Sequence, residues 1–271
     1  MTRTADEKRA AFRRLHTSGC FVIPNPWDVG SAIALQALGF FALASTSAGM
    51  AWSMGRPDNR VTLDAALAHL TALAAAVDIP VNADFEGAFA VEPDDVAANV
   101  GRAVKTGVAG LSVEDSTGNP DRPLFDRTLA VERIAAARAA IDAAGGGVVL
   151  TARSEGFIAG RPDLAETVRR LTAFAEAGAD CLYAPGLNDE SDIRQVVRAV
   201  APRPVNVLTL GHSVADLAAM GVRRISVGGS LARSAWGGFL RAAREIADQG
   251  TFAAFADGAP GRELNGLFQR R

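Results

Sequence analysis

The sequence predicts one (β/α)8 barrel of the TIM type. Three observations predict it. Eight short apolar runs are each followed by a segment of helical period. Glycines stand at the ends of several of those segments, directly before the next run. No linker, charge block or low-complexity stretch divides the 271 residues. An open doubly wound sheet of this length usually divides into smaller domains, so a closed barrel is the better solution.

In order, residues 5–18 read as a charged, alanine-rich helix stopped by Ser18-Gly19. Strands are expected at about 20–24, 40–45, 79–84, 108–114, 147–153, 180–184, 204–208 and 223–228. Helices fill the intervals near 29–38, 62–77, 93–106, 128–143, 162–177, 190–200, 213–220 and 230–248. Leu38-Gly39-Phe40, Thr106-Gly107-Val108, Ala177-Gly178-Ala179 and Met220-Gly221-Val222 read as helix C-caps leading into strands. The single domain, 1–271, thus has a barrel core of about 20–249 and a tail, 250–271, whose Leu264 to Phe268 run suits docking on a neighbour. Three connections are longer than the fold needs: 46–60, 85–92 and 115–127. All follow strand C-termini, where barrel loops carry active sites.

Composition narrows the function. A 49% hydrophobic, 21% charged chain of net charge −2 has no broad basic surface for nucleic acid, so a small molecule is the expected partner. No apolar run is long enough for a membrane span, and the N-terminus lacks an apolar secretory core, so a cytoplasmic protein is expected. Cys20 and Cys181 read as buried strand-start residues rather than a disulfide framework. Only Lys8 and Lys105 are lysines, and neither is placed at the catalytic face, which disfavours a Schiff-base aldolase.

The third strand carries the main signal. In Val81-Asn82-Ala83-Asp84, alternation puts Asn82 and Asp84 on one face and Val81 and Ala83 on the other. At the same level neighbouring strands end in Ser45, followed by Thr46 and Ser47, and in Glu114, Arg153, Tyr183 and Asn206. Carboxylates without a histidine cluster suit a hard divalent cation that keeps several waters, magnesium first. His16 and His69 read as surface or capping residues, and His212 stands alone after the seventh strand. Two structural alternatives stand beside this: Asp84 as a helix N-cap, and Glu114 bridged to Arg153. Gly228-Gly229-Ser230 resembles a barrel phosphate cradle.

Together these residues resemble the isocitrate lyase and phosphoenolpyruvate mutase superfamily over roughly Asn25 to Ala247. The resemblance rests on Ser45-Thr46-Ser47 with Gly55-Arg56-Pro57-Asp58, on Asn82-Ala83-Asp84 where the family has Asp-Ala-Asp, and on Val113-Glu114-Asp115. Ala152-Arg153 with Gly156-Phe157, and Ala177-Gly178-Ala179-Asp180, complete it. It implies Asp84 as the direct ligand of Mg2+, with Mn2+ as the alternative, and Asn82, Asp58 and Glu114 holding the metal's waters. It implies Arg153 and the backbone amides after Ser45 as the substrate's anion holders, with Asn206 on the substrate side. It also implies a homotetramer in which the last helix is exchanged between subunits.

The chain departs from the family on the loop at 115–127. The lyase branch carries Lys-Lys-Cys-Gly-His there, whereas this loop has no cysteine, lysine or histidine. Asn119 and Arg122 are its nearest counterparts to the mutase lysine and asparagine. The expected activity is a Mg2+-dependent carbon–carbon lyase on a small 2-oxo or 2-hydroxy carboxylic acid, through an enolpyruvate-type intermediate. Decarboxylation of an oxaloacetate-like acid needs no enzymic base, whereas a retro-aldol would need Glu114, Glu86 or Asp121. Phosphorus–carbon bond chemistry on phosphonopyruvate, and a barrel that binds a 2-oxo acid without turnover, are the alternatives.

Overall fold

Short runs of Val, Ile, Leu and Ala, too brief to be helices, form eight parallel strands around one axis. The computed structural model describes residues 3–208 and 211–269. The strands are β1 (Phe21–Ile23), β2 (Leu43–Ala44), β3 (Val81–Asp84), β4 (Gly110–Glu114), β5 (Val149–Arg153), β6 (Cys181–Tyr183), β7 (Val205–Leu208) and β8 (Arg224–Ser226). They lie in the order β1-β8-β7-β6-β5-β4-β3-β2, and the N–H of Ala44 donates to Pro24 O (3.1 Å) across the remaining gap between β1 and β2. The expected barrel is the observed one.

Helices return the chain between strands: α2 (Val29–Ala37), α4 (Leu63–Ala76), α5 (Pro93–Val104), α6 (Arg127–Ala143), α7 (Leu164–Glu176), α8 (Glu190–Val200) and α9 (Val214–Ala219). Their apolar faces meet the outer strand residues, and Val100, Ile134, Phe174 and Ile193 are each 2% exposed or less. Gly39, Gly107, Gly178 and Gly221 have φ of +90° to +103°, the left-handed region a C-cap requires.

The first helix, α1 (Ala5–Leu15), closes the N-terminal end of the barrel. Phe12 is fully buried against Phe21, Ala109 and Val149. Lys8 donates through Nζ to Ala74 O (2.8 Å) and Val77 O (2.6 Å), and Arg13 through Nε to Gly147 O (3.0 Å). The charged face of α1 thus satisfies carbonyls at the barrel bottom, which keeps Lys8 far from the catalytic end. Above Phe12 the wall needs glycine: a Cβ on Gly110 would lie 2.5 Å from Asn82 Oδ1 and 2.6 Å from the Phe12 ring.

Three expectations change. The second strand is shorter than 40–45, because Phe40 and Phe41 precede it and Phe41 is 73% exposed. The connection at 46–60 contains a helix, α3 (Ser47–Ser53), capped by the Thr46 side chain. The tail forms a 3-10 turn (Ala253–Asp257) and α11 (Gly261–Gln269), and Phe268 of α11 packs beside Gly30 of α2 in the same chain. Arg270 and Arg271 of that tail lie outside the described residues. The last long helix, α10 (Ser230–Gln249), leaves Trp236, Phe239 and Leu240 exposed. No helix among the described residues is long and apolar enough to cross a membrane.

Candidate active site

Because side chains alternate along a strand, β3 sends Val81 and Ala83 outward into the core and Asn82 and Asp84 into the barrel. Both line a cavity of about 170 Å3 at the C-terminal end, with Ser45, Thr46, Ser47, Asp58, Arg153 and Asn206. Asp84 is fixed from β2 and α3. Its N–H donates to Ser45 Oγ (2.8 Å), and Ser47 donates to Asp84 Oδ2 through both N and Oγ (2.9 Å each).

Arg153 sits among three carboxylates. Nη1 lies 2.7 Å from Asp84 Oδ1, Nη2 3.2 Å from Glu114 Oε2, and Nε 2.9 Å from Glu155 Oε1. Its guanidinium also lies over the Tyr183 ring, 5.2 Å from the centroid. Burial opposes the charge on Arg153, but Glu155, Glu114 and Asp84 outweigh it and raise its pKa. Burial likewise drives Glu114 well above the ordinary carboxyl range, with Arg153 pulling it down and Glu155 and Asp84 pushing it up. The expected bridge between Glu114 and Arg153 is present in the geometry, and Glu114 also faces an adjoining cavity lined by Asn59, Glu86 and Ser116.

The loop after β3 is built under strain. Glu86, Ala88 and Phe89 have φ of 48°, 57° and 55°, values costly for residues with a Cβ. Arg133, 1% exposed, holds them from α6 by donating to the carbonyls of Gly87, Ala90 and Val91. The result is a half-buried Glu86 whose buried Oε1 accepts no hydrogen bond among the described residues. Burial, then Asp84 and Asp58, push its pKa up to about 7. Burial also raises Asp58, with the Asn59 N–H opposing and Asp84 adding to the rise.

This donor set fits a hard cation. The mutual repulsion of Asp58, Asp84 and Glu86 and the unsatisfied Glu86 oxygen are both relieved by positive charge. Among the described residues no three His, Cys, Asp or Glu side chains converge as a complete ligand set. The cation suited to such a site is one that keeps several of its waters, as magnesium does.

Other expected residues sit as follows. Asn206 Nδ2 donates to Ser226 Oγ (2.9 Å) and its Oδ1 accepts from Arg224 Nε (2.8 Å). Asn82 turns Oδ1 toward Gly110 and Phe12, at the cavity floor. No residue from 115 to 127 lines the main cavity. Gly228 and Gly229 do line it. His16 caps α1 as expected, yet its ring packs edge-on against Phe12 and Phe21 rather than lying on the surface.

Sequence reasoning missed Glu155, Arg224, Asn25 and the brace beneath Glu155. That brace runs from Arg170 Nη1 to Asp115 Oδ2 (3.1 Å) and from the Glu155 N–H to Asp115 Oδ1 (2.8 Å). Asn25 joins strand ends: Nδ2 donates to Ser45 O (2.9 Å), while Oδ1 accepts from the N–H groups of Val227 (2.9 Å) and Gly228 (3.0 Å). Arg224 was detectable, since period two along β8 puts it on the inward face with Ser226.

Comparison with known proteins agrees with this geometry. The model of the phosphoenolpyruvate phosphomutase family matches residues 12–247. An uncharacterised protein of Mycobacterium tuberculosis is 35% identical over 242 residues, 88% of this chain and 89% of its own length. The 2-methylisocitrate lyase of Escherichia coli K12 is 30% identical over 194 residues, 68% of this chain and 64% of that one. Among solved structures, one from Burkholderia cenocepacia J2315, described as a lyase/mutase, is 48% identical with a TM-score of 0.95, covering 98% of this chain and 97% of that one. A 2,3-dimethylmalate lyase is 26% identical (TM-score 0.84; 99% and 95% covered). A phosphonopyruvate hydrolase in complex with oxalate and Mg2+ is 25% identical (TM-score 0.83; 98% and 96% covered). With a family match running from α1 into α10, the chain belongs to the phosphoenolpyruvate phosphomutase family, within the isocitrate lyase/PEP mutase superfamily.

Proposed function

We propose that the protein is a Mg2+-dependent carbon–carbon lyase acting on a small 2-oxo or 2-hydroxy carboxylic acid through an enolpyruvate-type intermediate. The observation that carries this is Arg153, fixed by Asp84, Glu114 and Glu155 beside the Ser45-Thr46-Ser47 wall. The lyases among its relatives, and the oxalate and Mg2+ complex of the phosphonopyruvate hydrolase, support the reading. Asp84, with Asp58, Glu86, Glu114 and Asn82 around it, would hold Mg2+ (or Mn2+), which when bound polarises the carbonyl and carboxylate oxygens of the acid.

The chain's own residues supply the rest. Arg153 and the backbone N–H groups of Thr46 and Ala48 offer donors where negative charge develops as the bond breaks, the Ser47 N–H being held by Asp84. Asn206 borders the substrate space. A reaction that requires a base would draw on Glu86, which lines the adjoining cavity beside Glu114, because Glu114 is paired with Arg153 and Asp121 is exposed. A decarboxylation needs no base, which suits a 115–127 loop without cysteine or histidine. Assembly as a homotetramer through α10 is part of the proposal, motivated by its exposed Trp236, Phe239 and Leu240.

The test is an assay of the purified protein on a panel of 2-oxo and 2-hydroxy acids, with Mg2+ and with chelator. Metal-dependent release of pyruvate, glyoxylate or carbon dioxide is the expected result. Phosphate release from phosphonopyruvate, with no acid cleaved, would assign the protein to phosphorus–carbon chemistry instead. Binding without turnover would make it a 2-oxo acid receptor.

A further inference from the structure

Arg224 on β8 is 2% exposed and lies across the floor of the main cavity. Nε donates to Asn206 Oδ1 (2.8 Å), Nη2 to Thr151 Oγ1 on the opposite wall (2.9 Å), and Nη1 faces His16 Nε2 (3.4 Å). All three partners are neutral. His16 Nδ1 lies 2.8 Å from Phe12 O, and burial followed by Arg224 itself hold the imidazole pKa down to about 3. The other titratable groups facing Arg224, the Cys181 thiol and the Tyr183 phenol, are pushed upward by burial and stay protonated.

The contrast with Arg153 is direct. Arg153 has three carboxylates, whereas among the described residues no carboxylate pairs with Arg224. A guanidinium carries five N–H donors, so three partners leave two without an acceptor. A buried charge left unpaired is unfavourable, and one set in a cavity wall gains its counter-ion from what the cavity binds. The cavity is polarised accordingly. Its β3–β5 side carries Asp84 and Arg153, while its β6–β1 side offers Asn206, Ser226 and Asn25 around Arg224 alone.

We infer that Arg224 binds the second acidic group of a dianionic substrate whose 2-oxo or 2-hydroxy acid end lies at Asp84 and Arg153. This rests on the proposed reading of that end of the site. Specificity for the tail is then set from the barrel floor and not only by the loops above it.

The experiment is calorimetric binding with Mg2+ of 2-oxoglutarate against 2-oxopentanoate, which match in length but differ in the distal carboxylate. The wild type should bind the diacid more tightly by about tenfold or more, the size of one charge-assisted hydrogen bond. Arg224→Gln should lose that preference and bind the diacid and the monoacid within about twofold of one another. Absence of preference in the wild type, or its persistence in Arg224→Gln, would overturn the inference and make Arg224 a crossbar between strands. Failure of both acids to bind would remove the proposed reading and this inference together. Should Arg224→Gln not fold, a crystal structure of the wild type with 2-oxoglutarate and Mg2+ decides. The distal carboxylate on Nη1 or Nη2 supports the inference, and any other seat refutes it.

Discussion

Arg153 Nη1 lies 2.7 Å from Asp84 Oδ1, so the proposed anion holder and the proposed metal ligand neutralise one another in the free site. Both side chains are largely shielded from water, which strengthens the pair beyond a surface ion pair. A divalent cation held at Asp84 would compete with Arg153 for that oxygen. Glu114 and Glu155 would still hold the guanidinium in place.

That relationship predicts the behaviour of Asp84→Asn. The amide can still accept from the N–H and hydroxyl of Ser47, and Arg153 retains two carboxylates, so unfolding free energy should fall by only about 1–3 kcal/mol. Metal-dependent turnover should fall by about 100-fold or more. Thermal unfolding with Mg2+ and oxalate checks it: the wild type should be stabilised by the pair of ligands and the variant should not. A variant stabilised like the wild type would remove Asp84 from the metal site.

The legibility of this molecule follows the length over which each constraint acts. The barrel was readable because it repeats, and each βα unit states the same period change and often the same C-cap glycine, as at Gly107 and Gly221. Asn82, Asp84, Glu114 and Arg153 were readable because strand alternation is local and strand order then makes them neighbours. Glu155 was not, because its place depends on Asp115 and Arg170, 40 and 55 residues apart from their partners in sequence. The helix α3 was hidden for a different reason. Seven residues containing a glycine and two serines have weak intrinsic helicity, and it is Thr46 and the packing around Met50 and Ala51 that sustain it.

Gly110 gives a steric prediction. Adding a Cβ places a carbon 2.5 Å from Asn82 Oδ1 and 2.6 Å from Phe12, both inside van der Waals contact and both on buried side chains. Gly110→Ala should therefore destabilise the protein by about 1–3 kcal/mol, the usual cost of overpacking a filled core. Denaturant unfolding measures it. Phe12→Leu in the same background should recover part of the loss, because the smaller side chain frees one of the two contacts. If the double variant is no more stable than Gly110→Ala, the Phe12 contact is not the source of the strain.

His16 predicts how stability responds to acid. Burial, then the Arg224 charge, hold its folded pKa at about 3, against an unfolded value near the ordinary 6.5. Above pH 6.5 the imidazole is neutral in both states and contributes nothing to the pH dependence. Between 6.5 and 3 the unfolded chain binds a proton that the folded chain refuses, so stability falls as pH falls, by up to about 1.4 kcal/mol per pH unit. Replacing His16 with Asn removes this titration, at the cost of the ring contacts with Phe12 and Phe21. Urea unfolding at pH 7.5 and pH 5 should show His16→Asn less stable than wild type at both, with the gap narrower at pH 5. An equal gap at the two pH values would mean that His16 charges freely in the folded protein, which would contradict its confinement beneath Arg224.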